Sequence, residues 1–402
     1  MVVDKFGKDT RKVLLTYAWC RSSYSALKSL ASNDIDVVVA DSSSVGMCQW
    51  SKHAFAVEKY RSPLIHPEGF VDDVVALCLN HEISIVIPGH DEGQILAKYT
   101  DRLAGISILT ASFEKLELAN NKRSMSDFAL SLDVPIAPKI NVENAFDLGK
   151  STHSDRSYVV RALQGNGAKG VLYSKGGDQL TVAVTKFIAQ HNLGIDRFPV
   201  VQEYVNGDGW GVSCLYWHGQ RIASFTHKRL EEKTLTGGTS TLRVGKKNPC
   251  LEKYAYTLLD GLKWHGLAMV EFKFDEPTQK GYFIEINPRL WGSIDLARAS
   301  GIDFPYLMYL CATGDLVNAK SLAKIWNEGV VSLWVLGDLI RRLSLLKNGQ
   351  IRKSLSPRTM KVSSYDDLDW SDFRAFVGQC TYYARKGLMH RSTNPIEKGM
   401  IK

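Results

Sequence analysis

The segment from residue 267 to residue 291 constrains the fold of this chain more than any other. Val270, Phe272 and Phe274 alternate with Met269, Glu271 and Lys273, and Tyr282, Ile284 and Ile286 alternate with Phe283, Glu285 and Asn287. Two period-two runs joined by a turn-forming stretch, Asp275 to Gly281 with Pro277 inside it, predict an antiparallel hairpin. With Phe274 opposite Tyr282, Glu271 falls opposite Glu285 on the face away from the apolar row. Facing like charges destabilise a ladder by about 0.2–1 kcal/mol, and a divalent cation between them reverses that sign. Glu285 and Asn287, two apart, share a face and complete an all-oxygen set suited to Mg²⁺. The plain alternative is a solvated hairpin face with ordinary charges. Glu271 opposite, with Pro288 and Arg289 following, favours the metal site.

Upstream, the pattern is strand–helix–strand. Val13–Thr16, Val37–Ala40 and Ile83–Pro88 are continuous apolar runs, separated by helical patterns over Ser22–Ala31 and Val71–Leu79. Buried parallel strands have that continuous character, so a doubly wound parallel sheet is expected. The third run ends in Gly89-His90-Asp91-Glu92, beyond the carboxyl end of a strand, where open α/β sheets collect ligands. Asp91 or Glu92 fits equally as the opening residue of the next helix.

A glycine loop, Gly165-Asn166-Gly167-Ala168-Lys169-Gly170, lies between a strand over Ser157–Leu163 and another starting at Val171. Its spacing matches a dinucleotide fingerprint, but that motif must lead into a helix. A Walker A loop needs Lys-Ser or Lys-Thr after the last glycine, where Val171 stands. A glycine-rich hairpin between strands suits a flap that closes over phosphates with its backbone N–H groups. Protein kinases use such a flap, yet no His-Arg-Asp or Asp-Phe-Gly segment follows. Further on, His227, Lys228 and Arg229 and then Gly237 to Arg243 place Lys228, Arg229 and Arg243 near a Gly-Gly-Thr-Ser turn. That set can stabilise a phosphate or a substrate carboxylate; His227 alone reads as structural.

Glu271 with Glu285-Ile286-Asn287-Pro288-Arg289 resembles the metal-site signature of the ATP-grasp superfamily, and the continuation through Gly301–Pro305 resembles its carbamoyl-phosphate-synthetase-like, carboxylate–amine ligase branch. The likeness extends over about residues 12–315. It implies an N-terminal α/β domain over 1–115, a two-lobed ATP-grasp module over 116–315 with a flap lobe at about 155–205, and an added segment over 316–402. It further implies ATP and one or two Mg²⁺ (or Mn²⁺) ions held by Glu271, Glu285 and Asn287, with Arg289 over the transferred phosphoryl group. Lys122 matches a phosphate-binding lysine. Arg161 stands where the family usually carries lysine, and a guanidinium is not interchangeable with an ammonium. Gly165, Gly167, Lys169 and Gly170 match the flap, and Gln202, Glu203, Tyr204 and Val205 the adenine-side hinge strand. The implied activity is ATP-dependent joining of a small carboxylate to an amine. Carboxylation, carbamoyl phosphate formation and non-catalytic nucleotide binding are the alternatives.

Residues 316–402 hold 15 Lys and Arg against 7 Asp and Glu, which accounts for the whole net charge of +8. Amphipathic helices are expected at Val330–Leu346 and from Asp366 to Phe376, forming a mainly helical appendage that packs on the core or makes a dimer contact. No nucleic-acid-binding signature accompanies the charge, so no nucleic acid partner is expected. Seven scattered cysteines without a Cys-x-x-Cys pair, no signal-peptide core and no long uncharged apolar run make a cytoplasmic protein without a transmembrane segment the expectation.

Overall fold

The computed structural model describes residues 11–142, 144–165, 170–234, 237–358 and 360–390. The first five strands, β1 (Lys12–Leu15), β2 (Asp36–Asp41), β3 (Ala56–Lys59), β4 (Ile85–Ile87) and β5 (Ser107–Ile108), form one parallel sheet in the order β3-β2-β1-β4-β5. The reversal of strand order beside β1 is a switch point, and the loops after β1 and β4 open there. β1, β2 and β4 are the three apolar runs read from sequence. The edge strands β3 and β5 escaped that reading: β3 is half-exposed and β5 is two residues long.

A small antiparallel sheet follows, β7-β6-β8, from β6 (Ser157–Arg161), β7 (Val171–Lys175) and β8 (Val200–Glu203). Arg161 pairs with Val171, so the glycine loop does join two strands; Gly165 and Gly170 are described, while Gly167 and Lys169 lie outside the described residues. The helix Asp178–His191 packs Leu180, Val184 and Phe187 against Tyr158, Val160 and Val201, giving this lobe its own core.

The largest sheet holds seven strands in the order β13-β12-β9-β10-β11-β14-β15: β9 (Asp208–Trp217), β10 (Gln220–Thr234), β11 (Gly237–Gly245), β12 (Gly266–Asp275), β13 (Lys280–Asn287), β14 (Val331–Leu333) and β15 (Ser364–Tyr365). One face packs on the helix Pro249–Gly261 through Leu251, Ala255, Leu258 and Leu259, which meet Val212, Cys214, Val270, Phe272 and Phe283.

The hairpin register departs from expectation at one place. Glu271 does face Glu285, but Phe272 pairs with Phe283 and Phe274 with Gly281, not Tyr282. Ile284 is therefore the extra residue of a β-bulge, which reverses the alternation beyond it. Phe283, expected beside Glu285 and Asn287, instead enters the core next to Phe272, and Ile284 joins Glu285 on the cavity side.

Residues 316–390 are not a purely helical appendage. Val331–Leu333, expected to begin a helix, pair with Leu242–Val244 of β11, and the helix starts only at Val335. The run Val-Val-Ser-Leu is β-branched at its start and pairs well on an otherwise open edge. Ser364 and Tyr365 add a last strand beside it. Asp369 caps the turn after that, accepting the Ser371 N–H at 2.9 Å, before the long helix Phe373–His390. Among the described residues no helix is long and apolar enough to cross a membrane.

Removing everything after Asn327 would bare the β11 edge and uncover Leu242 and Val244, which pack on Val331 and Leu333. The expected result is a fall of more than about 10 °C in the thermal midpoint, with self-association on size-exclusion chromatography. An unchanged midpoint would mean that the segment is a detachable appendage.

Candidate active site

Glu271 and Glu285 come from adjacent strands and face the same cavity, of about 670 Å³, between the three sheets. Each is compensated by cations from other elements. The Arg229 guanidinium on β10 lies 2.5 Å from Glu271 Oε1, and Asn287 Nδ2 donates to the same oxygen at 2.9 Å. Glu285 Oε2 receives Arg161 Nη2 at 3.0 Å and has the Lys122 ammonium at 3.6 Å. Arg161 also donates to the Ile284 carbonyl at 2.9 Å, an acceptor on the bulged residue. Lys122 opens the helix Lys122–Ser131, whose capping Asn121 accepts the N–H groups of Arg123 and Ser124, and its ammonium also donates to the Gly165 carbonyl at 2.9 Å.

The two carboxylates are not equivalent. Burial drives Glu271 above its ordinary value, a push that Arg229 counters and the nearby Glu285 charge reinforces. Burial pushes Glu285 up as well, but Lys122, Arg161, Arg289 and Arg229 outweigh it and hold this carboxyl below the usual range. Burial also lowers the Lys122 ammonium, against the pull of Glu285. Arg289, two residues past Asn287, donates Nε to Asp91 Oδ1 at 2.9 Å. Asp91 lies well below its ordinary value because His90 and Arg289 overcome its desolvation.

The helix after β4 is Glu92–Lys98 with Asp91 at its N-cap, so both acids open it, and Asp91 also pairs with Arg289. Asp91 reaches the site, whereas Glu92 is an internal clamp, accepting Thr16 Oγ1 at 2.6 Å and the N–H groups of Gly89 and His90. A second cavity, of about 810 Å³, opens on the β4 side, and Glu285, Asn287 and Arg289 line both cavities.

At the flap end, Gln202, Glu203, Tyr204 and Val205 line the first cavity with Val159 and Tyr173. Gln202 spends its amide N–H on the Ala137 carbonyl at 3.1 Å, and Glu203 is paired with Arg156 at 2.8 Å. Strand alternation turns Lys228 away from the carboxylates; its ammonium sits between Asp208 at 2.7 Å and Glu276 at 2.8 Å. Arg243 lies deeper, paired at 2.5 Å with Asp366 from the C-terminal segment. His227 is buried, with its imidazole held far below its ordinary value by desolvation and by Arg229 and Arg243, so it is neutral. Thus Arg229 meets Glu271 and Arg289 acts on both glutamates only through its field, while Lys228 and Arg243 pair elsewhere.

Other lining residues went unnoticed in the sequence: Arg21 at the start of the helix Arg21–Ala31, Trp19 stacked on Tyr382 with ring centres 4.1 Å apart, and Trp334. Arg21 Nη2 and Arg243 Nε are buried without an acceptor among the described residues, a cost of about 1–3 kcal/mol for each such group.

Among the described residues no three His, Cys, Asp or Glu side chains gather as a metal site. Two carboxylates and an amide oxygen nonetheless fit Mg²⁺, which takes one or two protein carboxylates and fills the rest of its shell with phosphate oxygens and water. Glu271, Glu285 and Asn287 would hold it. The facing carboxylates already need positive charge, which Arg229, Arg161 and Lys122 supply.

The family model described as "ATP-grasp in the biosynthetic pathway with Ter operon" matches residues 197–331, from the hinge strand through the paired carboxylates to β14. The carbamoyl phosphate synthase large chain of Clostridium acetobutylicum is 25% identical over 247 residues, 57% of this chain and 22% of that one, so the chain spans about a fifth of that relative's length. The Campylobacter jejuni biotin carboxylase–β,γ-ATP complex superposes with a TM-score of 0.61 at 15% identity, covering 75% of this chain and 71% of the other. The L-amino acid ligase of Bacillus licheniformis gives 0.57 at 16% identity, covering 77% and 74%. Residues 197–331 thus match an ATP-grasp family model, and these likenesses together support the ATP-grasp superfamily. This ATP-grasp protein carries an N-terminal parallel sheet, a flap lobe and a seven-stranded sheet whose last two strands come from beyond residue 330.

Replacing Arg229 with Met would leave Glu271 buried without its ion partner, a loss of about 3 kcal/mol or more. The thermal midpoint in EDTA is expected to fall, and added Mg²⁺ to raise it more in Arg229→Met than in the native protein. Equal responses to Mg²⁺ would argue against a metal at Glu271.

Proposed function

We propose that this ATP-grasp protein is an ADP-forming ligase that activates a small carboxylic acid as an acyl phosphate and joins it to an amine. The observation that carries the reading is the position of Glu285, Asn287 and Arg289 on the wall between two cavities. One cavity runs out along the hinge strand to the flap, and the other opens toward the parallel sheet. A nucleotide at the flap end of the first would direct its terminal phosphate at the shared wall, the acid would meet it there from the side of that cavity lined by Arg21 and Arg243, and the amine would approach from the second. An L-amino acid ligase is among the proteins whose fold this chain resembles, which supports the reading.

A carboxylate is a poor electrophile, because oxide cannot leave. In the first step a carboxylate oxygen bonds to the γ-phosphorus of ATP and the bond to the bridging oxygen breaks, releasing ADP. In the second, the amine nitrogen bonds to the acyl carbon, phosphate leaves with the electron pair, and the nitrogen gives up a proton. Catalysis of such steps is mainly positioning and charge neutralisation. Glu271, Glu285 and Asn287 would hold Mg²⁺, which when bound would supply neutralising charge on the phosphates. Arg289 faces the shared wall and would balance charge on the transferring group and the tetrahedral intermediate. Lys122 and Arg161, now paired with Glu285, sit within reach of the same place and would turn to phosphate oxygens. The loop between β6 and β7 would exclude water, which otherwise hydrolyses the acyl phosphate. Lys228 and Arg243 have no part in these steps.

Carboxylation through carboxyphosphate is the second reading, supported by the likeness to biotin carboxylase. Release of ADP with a library of acids and amines tests both. A ligase gives a product whose mass is acid plus amine less water; ADP release dependent on bicarbonate with no amine would replace it by the carboxylase. Glu285→Gln is expected to lower ADP release at least about a hundredfold while keeping the native circular dichroism. A variant with near-native turnover would remove the metal role from Glu285.

A further inference from the structure

The innermost end of the first cavity carries more positive charge than the steps above use. Arg21, Lys233 and Arg243 line it with Ser22, Ser240 and Trp334. All three cations are more than nine-tenths buried, at 8%, 6% and 0% exposure. Arg21 Nε donates to the Gly292 carbonyl at 2.9 Å and lies 3.3 Å from Asp366, while its guanidinium stacks 3.9 Å over the Trp334 ring. Arg243 donates Nη1 to the same carbonyl at 3.2 Å and Nη2 to Asp366 at 2.5 Å. One carboxylate thus serves two guanidiniums, and Ser332 also donates to it. The neighbouring acid is already engaged, since Asp367 accepts the N–H groups of Val335 and Leu336.

Two donors in this cluster lack an acceptor among the described residues, Arg21 Nη2 and Arg243 Nε. The eleven-residue helix Arg21–Ala31 starts at the same spot with no side-chain cap from Cys20, so its positive end adds to the field. Lys233 Nζ lies 5.8 Å from the centre of the Trp334 ring and 5.6 Å from that of Tyr383. Buried guanidinium N–H groups are satisfied by an oxyanion, for which their fork geometry is suited.

We propose that this end of the cavity is an oxyanion subsite for a second carboxylate on the acid substrate, remote from the carboxylate being activated, so that the acid is a dicarboxylic acid. The ligand's role as a substrate rests on the ligase reading; its binding does not. Trp334 and Asp366, both from the C-terminal segment, build the pocket: one stacks on Arg21 and the other sets both guanidiniums.

Calorimetric titration of the nucleotide-free protein tests this with short dicarboxylates from malonate to pimelate, monocarboxylates of matching length, and inorganic phosphate. At least one dicarboxylate is expected to bind about tenfold or more tighter than its monocarboxylate partner. Lys233→Met and Arg21→Gln are each expected to abolish that preference, with circular dichroism and the ligand-free thermal midpoint reporting that they fold. If Arg21→Gln does not fold, Lys233→Met decides alone, because Lys233 is neither of the two guanidiniums that share Asp366. Equal binding of the two acid series, a preference that survives Lys233→Met, or binding of phosphate alone would overturn the proposal. A dicarboxylate preference that depends on Lys233 in a protein releasing no ADP with any acid and amine would sustain the subsite while removing the ligase reading.

Discussion

Two partly buried carboxylates facing each other across a hairpin are the constraint around which this protein is arranged. Taking a pair of like charges out of water is expensive unless opposite charge comes with them. Here it arrives from separate parts of the chain: Lys122 from a helix, Arg161 from the flap lobe and Arg229 from the seven-stranded sheet, with Arg289 adding its field while tied to the parallel-sheet domain through Asp91. The flap and the sheets are therefore held in register by the groups that would meet a nucleotide. The same cations that make the carboxylates tolerable without a ligand are suited to phosphate oxygens, so binding would exchange partners with little new charge to bury.

Much of this was legible in the residues. The facing glutamates followed from period two, and the identity of the flap as a hairpin followed from Val171 standing where a helix would have to begin. The bulge at Ile284 was not legible, because a single inserted residue leaves the apolar–polar alternation looking continuous; only the pairing of Phe272 with Phe283 reveals it. Lys228 and Arg229 are adjacent cations of similar appearance, yet strand alternation sends one to Asp208 and Glu276 and the other to Glu271. The sequence shows such alternation only once the strand's inner face is known. Arg21, Trp334 and Tyr382 carry no local pattern at all, since they acquire meaning only through contacts far along the chain.

The C-terminal segment also changes meaning between sequence and structure. Its excess of lysine and arginine suggested a solvated face, on a mainly helical segment packed on the core or making a dimer contact. Instead, Val331–Leu333 close the open edge of β11, and Asp366 ties Arg21 to Arg243 beneath the cavity. The surface charge and the buried architecture of this segment are separate properties, and only the first is written in its composition.

The Gly292 carbonyl accepts from Arg21, 271 positions earlier, and from Arg243, 49 positions earlier, while Arg243 reaches Asp366 123 positions later. Loops of that length close slowly, because their entropy is lost before any contact rewards it. The floor of this cavity must then assemble later than the elements built from local contacts. A ribosome would have to release the chain past Asp366 before Arg21 and Arg243 could meet their shared carboxylate, leaving nascent protein without that floor until then.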